Sequence, residues 1–144
     1  MLKTQRLTPE SLGLLENVAE DVFDGEIDSE RLSTYLATPG HLMIVAAVGH
    51  QVVGQVAAYV HYHPDQAPDI YIDNLGVAQA FQRRGIARRL VDEVFAWGES
   101  LGCHQAWIVT DTDNVAARAL YEARGASAEP IVMFSYELDH HRER

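Results

Sequence analysis

The most regular hydrophobic pattern in the chain lies between Gly85 and Leu101. Ile86, Leu90, Val94, Trp97 and Leu101 recur at three- and four-residue intervals, so they share one face of a helix that Gly102 is placed to stop. A second helix is expected from a cap at Asp113 or Asn114 through Arg124, closed by Gly125. Asp28 caps another that stops at Thr38, because Pro39-Gly40 cannot continue it. Thr8-Pro9-Glu10 reads as N-cap, first-turn proline and acidic first turn of a helix running to about Phe23. The other apolar runs are strand-like. Leu42 to Val48 and Gln51 to Tyr62 flank the two-residue turn Gly49-His50. Ile70 to Val77, Gln105 to Thr110 and Ile131 to Leu138 follow, and residues 1–7 form a short first strand. The order β-α-α-β-β-β-α-β-α-β predicts an α+β fold, a central mixed sheet with flanking helices, as a single domain over residues 1–144. A helix between Ile70–Val77 and Gln105–Thr110 makes those strands parallel.

One strand breaks its own rhythm. Ile70 and Ile72 alternate in phase, and so do Leu75 and Val77, but the two pairs are out of phase. A strand that keeps one face in the core needs an extra residue near Asp73-Asn74 to do this, which predicts a β-bulge. The alternative is a strand buried on both faces. A bulge splays neighbouring strands and opens a slot in which an extended ligand can pair with the edge.

Composition narrows the function without naming it. A chain with 47% apolar residues can build a core, and no stretch approaches the roughly 20 consecutive apolar residues of a membrane span. The first residues lack the apolar block of a secretory signal, and the single cysteine, Cys103, cannot form an internal disulfide. A cytoplasmic protein is expected. The net charge of −10 argues against general nucleic-acid binding. Its distribution is informative: Arg83, Arg84, Arg88 and Arg89 cluster, while residues 10–30 carry Glu10, Glu16, Glu20, Asp21, Asp24, Glu26, Asp28 and Glu30 and no base before Arg31. A local anion site therefore belongs to a protein whose N-terminal part attracts cations.

The anion site has a definite form. Gln82-Arg83-Arg84-Gly85-Ile86-Ala87 joins a strand to a helix. Gly85 and the small Ala87 let the backbone curl around an anion, and the unpaired N–H groups of the helix start point at it. The arginines add formal charge suited to a pyrophosphate or a ribose phosphate.

Gln82-x-x-Gly85-x-Ala87 after Ile70–Val77 resembles the acetyl-coenzyme A signature of the GCN5-related N-acetyltransferases. Asn114-Val-Ala-Ala117-Arg-Ala-Leu120-Tyr121-Glu-Ala-Arg-Gly125 is similar to that family's second block, and the element order agrees over essentially the whole chain. The resemblance implies acetyl-CoA as donor, with the backbone of Leu75, Gly76 and Val77 pairing with the pantetheine arm. The turn formed by Gln82, Arg83, Arg84, Gly85, Ile86 and Ala87 would hold the pyrophosphate. Asn114 would contact the donor, and Tyr121 would lie near its sulfur. Ile70 to Val77, Val56 to Val60 and the Met133–Asp139 segment look like the aminoglycoside 3-N-acetyltransferase branch. That branch has an aspartate where Asn74 stands and an aromatic where Asp73 stands, and it lacks Asn114.

The chemistry fits these residues. Amine attack on a thioester expels a thiolate, to which the Tyr121 phenol can donate; full transfer to a thiol of pKa about 8.5 is uphill by roughly 2 kcal/mol. An alkylammonium must first lose a proton, worth about 4 kcal/mol at pH 7. Asp73 is the first candidate base. Asp69, on the same strand, is the second, acting through water or as a carboxylate binding the acceptor. In the resembled family the first two helices and their connection wall the acceptor site, so Asp24 and Glu26 are candidate contacts for a small polycationic amine, an aminoglycoside among them. A peptide or protein amine is the alternative acceptor, and a non-catalytic acyl-CoA sensor the alternative class. A homodimer is carried as an expectation that no residue fixes. His61 and His63 lie on one side of a strand but show no convincing third ligand, so they read as a solvated edge and no metal is expected. Cys103 reads as a packed small residue, and His140-His141 as a disordered tail.

Overall fold

The computed structural model describes residues 1–139. The chain forms two compact units, Met1–Val109 and Thr110–Arg144.

The first unit is built on a five-stranded sheet in the order β1-β2-β3-β4-β5. Its strands are β1 (Leu2–Arg6), β2 (His41–Val48), β3 (Gln51–His61), β4 (Asp69–Val77) and β5 (Gln105–Ile108). The first four run antiparallel, and β5 lies parallel to β4. Helix α1 (Ser29–Ala37) is capped by Asp28, whose carboxylate accepts from the backbone N–H of Glu30 and Arg31 at 2.9 and 3.1 Å. Helix α2 (Ile86–Ser100) buries Ile86, Leu90 and Val94 of the expected stripe together with Val91 and Gly98, while Trp97 is only half-buried and Leu101, past the helix end, is exposed. Gly98 is essential to that contact: a Cβ there would lie 2.1 Å from Ile70 Cδ1. The core is continuous from Leu7 through β2 and β3 to Val94, with Ala46, Val53, Val56, Ala58, Leu90 and Val94 fully sealed from solvent.

The out-of-phase apolar pairs in β4 do mark a bulge. Ala57 pairs with Asn74 and Ala58 with Ile72, so Asp73 is an extra residue opposite no partner on β3. On the other edge of β4 the pairing with β5 ends at Ile72↔Ile108. Among the described residues, β4 from Asp73 to Val77 is therefore laddered only with β3, and β4 and β5 part after Ile72↔Ile108 as the slot inferred from the sequence requires.

The N-terminal expectations need correction. Residues 8–23 do not form one α-helix: Pro9–Glu16 is a 3-10 helix with non-helical backbone at Ser11. Beyond it Val18 bridges Val52, with Val52 N–H donating to Asn17 O and Ala19 N–H to Val52 O, both at 2.9 Å. Sheet pairing beside the register shift in β2 and β3 wins over a helix that Gly13 already weakens. The segment then turns at Asp21 (φ 68°), buries Val22 and lays it against β4. At Gly76 any Cβ would stand 2.2 Å from Val22 O, so only glycine admits this close approach.

The second unit contains α3 (Val115–Ala123), with Asn114 at its N-cap accepting from Ala117 N–H at 3.1 Å, and Gly125 (φ 89°) beyond its end. The strand expected over Ile131–Leu138 does not form. The apolar alternation is there, but a strand exists only within a ladder, and no β-ladder runs over these residues among those described; Ile131, Val132, Met133, Phe134, Tyr136 and Leu138 are exposed. His140-His141 lie outside the described residues.

Gly76→Ala should cost about 1–3 kcal/mol in urea unfolding, the range for overpacking. It should also speed hydrogen exchange at residues 17–24 more than in α2. Unchanged exchange there would show that Val22 is not held by this contact.

Candidate functional site

The β4 bulge collects several expected residues. Asp73 is exposed at the extra position, with Leu75, Gly76 and Val77 following on the half-paired edge. Behind them Gln55, fully buried in β3, donates its side-chain amide to Val22 O at 3.2 Å and to Asn74 Oδ1. Asn74 in turn donates to Asp24 Oδ2 at 2.9 Å. Asp24 is thus tied to the bulge, with Glu26 exposed two residues along the same loop. Gln55 was missed in the sequence; its signal was a glutamine inside a strand that is otherwise apolar between Gln51 and His61.

A row of rings flanks Asp73, and sequence reasoning missed it too. Tyr35, His41, Tyr59, Tyr71 and Trp107 follow one another with centroids 4.7, 5.7, 5.4 and 4.2 Å apart. The row joins α1, the first residue of β2, and β3, β4 and β5, so no local pattern could reveal it. Burial, and secondarily the Asp73 charge, pushes the Tyr35 phenol up to about 12. Tyr71 is also raised, by burial and then by Asp73 and Tyr59. The Tyr35 hydroxyl donates to Leu42 O at 2.8 Å and Ala58 O at 3.0 Å, which ties α1 to the sheet next to the bulge.

The anion turn has the geometry its residues suggested. Gln82 donates its amide to Val77 O at 3.2 Å, closing the exit of β4. Arg83 (φ 64°) and Gly85 (φ 81°) both take the left-handed conformation, and a Cβ at Gly85 would meet nothing within 4 Å. The first helical bond of α2 runs from Arg89 N–H to Gly85 O at 3.0 Å, so the first-turn N–H groups, those of Ile86 and Ala87 among them, have no partner inside the helix. Two left-handed residues just before a helix of this length leave backbone N–H groups of the kind that suits a phosphate oxygen, and a pyrophosphate fits the donor set. The four arginines divide. Arg84 sits 5.0 Å over the Phe81 ring beside the turn, whereas Arg89 reaches back to Thr4 at 3.3 Å and Glu93 at 3.8 Å and serves the α2–β1 packing.

Asp69 is placed apart from the bulge. Asp69 heads β4, about 13 Å along the strand from Asp73 at ordinary strand rise, and lies 3.2 Å from His63 Nε2. In the second unit, Asn114 spends its carbonyl oxygen on the cap. Burial raises the Tyr121 phenol, so it is a neutral donor at physiological pH.

Residues 12–126 match the profile described as "Acetyltransferase (GNAT) family". Aminoglycoside N(6')-acetyltransferase type 1 of Salmonella typhimurium (strain LT2) is 24% identical over 116 residues, 77% of this chain and 74% of that protein. An aminoglycoside acetyltransferase from an uncultured soil metagenomic sample, meta-AAC0020, solved with trehalose, superposes at a TM-score of 0.82 with 25% identity, over 94% of this chain and 95% of that one. Aminoglycoside N-acetyltransferase AAC(6')-Iy, solved with CoA, shares the fold at a TM-score of 0.80 and 19% identity, over 95% of each chain. The named relative carries the N(6') designation, so the 3-N branch suggested by the strand sequences is not supported.

The Tyr35 phenol gives a pH dependence with a definite sign. Its folded pKa of about 12 exceeds the usual 10, so its contribution is complete below pH 10 and is lost as pH rises through 12. Unfolding free energy should fall between pH 10 and 12, by at most about 3 kcal/mol, and Tyr35→Phe should flatten that part of the curve. An identical slope in the variant would assign the loss to other groups.

Proposed function

This chain belongs to the acetyltransferase (GNAT) family, and we propose that its N-acetyltransferase activity moves an acetyl group from acetyl-CoA to a primary amine of a small polycationic acceptor of the aminoglycoside class. The observation that carries this reading is the continuity of β4. One strand presents, in order, a carboxylate at a bulge, an edge held from one side only, and a turn into an anion cradle. That succession suits an extended donor with an acyl thioester at one end and a pyrophosphate at the other. The CoA bound to AAC(6')-Iy and the aminoglycoside relatives support the same reading. The family match crosses from one compact unit into the other, which supports a single catalytic domain over residues 1–144.

Bound acetyl-CoA supplies an acyl group already activated as a thioester. The backbone of Leu75–Val77 would take the arm as an added strand, and Gln82–Ala87 the pyrophosphate. The Asn114 amide N–H, not used by its cap, is left to contact the donor. Asp73 accepts the proton that the acceptor's ammonium must lose, directly or through water. Tyr121 donates toward the departing sulfur. Because burial raises this phenol above its ordinary value, complete transfer costs more than the roughly 2 kcal/mol of an unperturbed tyrosine. Its contribution is therefore a hydrogen bond that strengthens as charge develops, rather than an early proton transfer. Asp24 and Glu26 would hold non-reacting ammonium groups. Carboxylates also oppose deprotonation of the reacting amine, so an amine weakened by neighbouring charges or hydroxyls, as in an amino sugar, suits the site better than a lysine side chain.

Tyr121→Phe should lower kcat by roughly 10²-fold with donor affinity nearly unchanged, measured as CoA thiol release and by calorimetry. Unaffected turnover would reduce Tyr121 to packing.

For a multiply charged amino sugar, kcat/KM should fall steeply with ionic strength, and the slope should shrink in Asp24→Asn/Glu26→Gln. A salt-insensitive rate, or preference for a neutral peptide amine, would replace this acceptor by the peptide class. Tight donor binding with no thiol released to any amine would make the chain a sensor.

A further inference from the structure

The far end of β4 carries a second constellation, apart from the bulge at Asp73. His61 closes β3, His63 follows two residues later, and Asp69 opens β4 as the direct cross-strand partner of His61. Period-two spacing puts both imidazoles on one face, and the antiparallel register brings the carboxylate to them. The third ligand absent from any local spacing is thus supplied by the neighbouring strand. Asp69 Oδ2 lies 3.2 Å from His63 Nε2, Asp69 Oδ1 lies 3.8 Å from His61 Nδ1, and the two rings are 4.2 Å apart. One donor atom from each residue falls within 4.8 Å of the others. Asp69 Oδ1 is sealed from solvent and accepts no hydrogen bond, an unusual state for a carboxylate oxygen.

We propose that His61, His63 and Asp69 form a binding site for a borderline divalent transition cation, of which Zn2+ is the representative. Zn–N and Zn–O bonds of about 2.0–2.1 Å require tetrahedral ligand atoms about 3.3 Å apart. The His63 Nε2–Asp69 Oδ2 distance already meets this, while the three donor atoms taken together spread to as much as 4.8 Å and need up to about 1.5 Å of closure. His61 can supply it, since its side chain is 53% exposed, while His63 and Asp69, at 17% and 18%, form the fixed part. Two imidazoles and one carboxylate suit Zn2+, Ni2+ or Cu2+ and disfavour Mg2+ and Ca2+, which take oxygen ligands. Three protein ligands leave a fourth position to water. The bound ion would clip the base of loop 62–68 and satisfy the orphaned Oδ1.

Calorimetric titration of the full chain with ZnCl2, in the absence of acyl donor and acceptor, tests this independently of catalysis. One Zn2+ per chain should bind with micromolar affinity, and amides of residues 61–69 should gain hydrogen-exchange protection. His63→Gln and Asp69→Asn should each weaken binding at least tenfold. His61→Gln, altering the most exposed ligand, should do so without changing the fold by circular dichroism. Mg2+ should not bind. No Zn2+ uptake, or uptake unchanged in these three variants as expected if other histidines such as His140-His141 hold the metal, would overturn the site.

Discussion

The chemistry proposed here rests on a strand that cannot be completed on one side. Sheet pairing normally consumes both edges of an internal strand, because an unmatched N–H or C=O costs free energy when kept from water. In β4 the extra residue at Asp73 alters the phase with β3, and β5 ends its pairing one residue earlier, at Ile72. The edge from Asp73 to Val77 keeps hydrogen-bonding capacity in a fixed, extended geometry. Under the proposed function such an edge would take a linear donor without reorganisation, and the turn after Val77 would hold its anionic end.

Keeping the bulge open demands support from the face that the rings and the acidic segment share. Gln55 is the anchor: buried in β3, it holds Val22 and Asn74 together, and Asn74 reaches Asp24. Gly76 lets the segment settle at a distance no other residue tolerates. The acidic stretch is therefore part of the scaffold at Asp24 as well as a source of negative potential at Glu26. Tyr35 performs a similar task from α1, its hydroxyl bridging carbonyls of β2 and β3. Burial, and then the charge of Asp73, raises Tyr35 and Tyr71.

Charge is unevenly distributed about β4. Arg83 and Arg84 follow its C-terminal end, whereas Asp73 stands at the bulge with Asp24 tied to neighbouring Asn74, so under the proposed function an anionic donor and a cationic acceptor would not compete. The net charge of −10 hides this, since four of the 11 basic residues cluster at positions 83–89, and one of them, Arg89, is committed to Glu93 and Thr4.

The sequence by itself determined the local features. Helix caps at Asp28 and Asn114, the stops at Gly102 and Gly125, the buried stripe of α2, the Gly49-His50 hairpin and the bulge at Asp73 all follow from one-dimensional spacing and residue chemistry. Each depends on neighbours within a few positions, where periodicity and backbone preference act directly. Tertiary structure decided what depends on distant partners. It replaced the helix expected to reach Phe23 by a 3-10 turn and a bridge to Val52, because that strand offered its backbone groups. It withheld the strand over Ile131–Leu138, whose alternation has no ladder to join among the described residues. It assembled the Tyr35-to-Trp107 row from α1 and four strands, and set Asp69 between two histidines that lacked a third partner in sequence. A residue's type and spacing fix how it can bond; only the fold fixes which remote group is there to bond with.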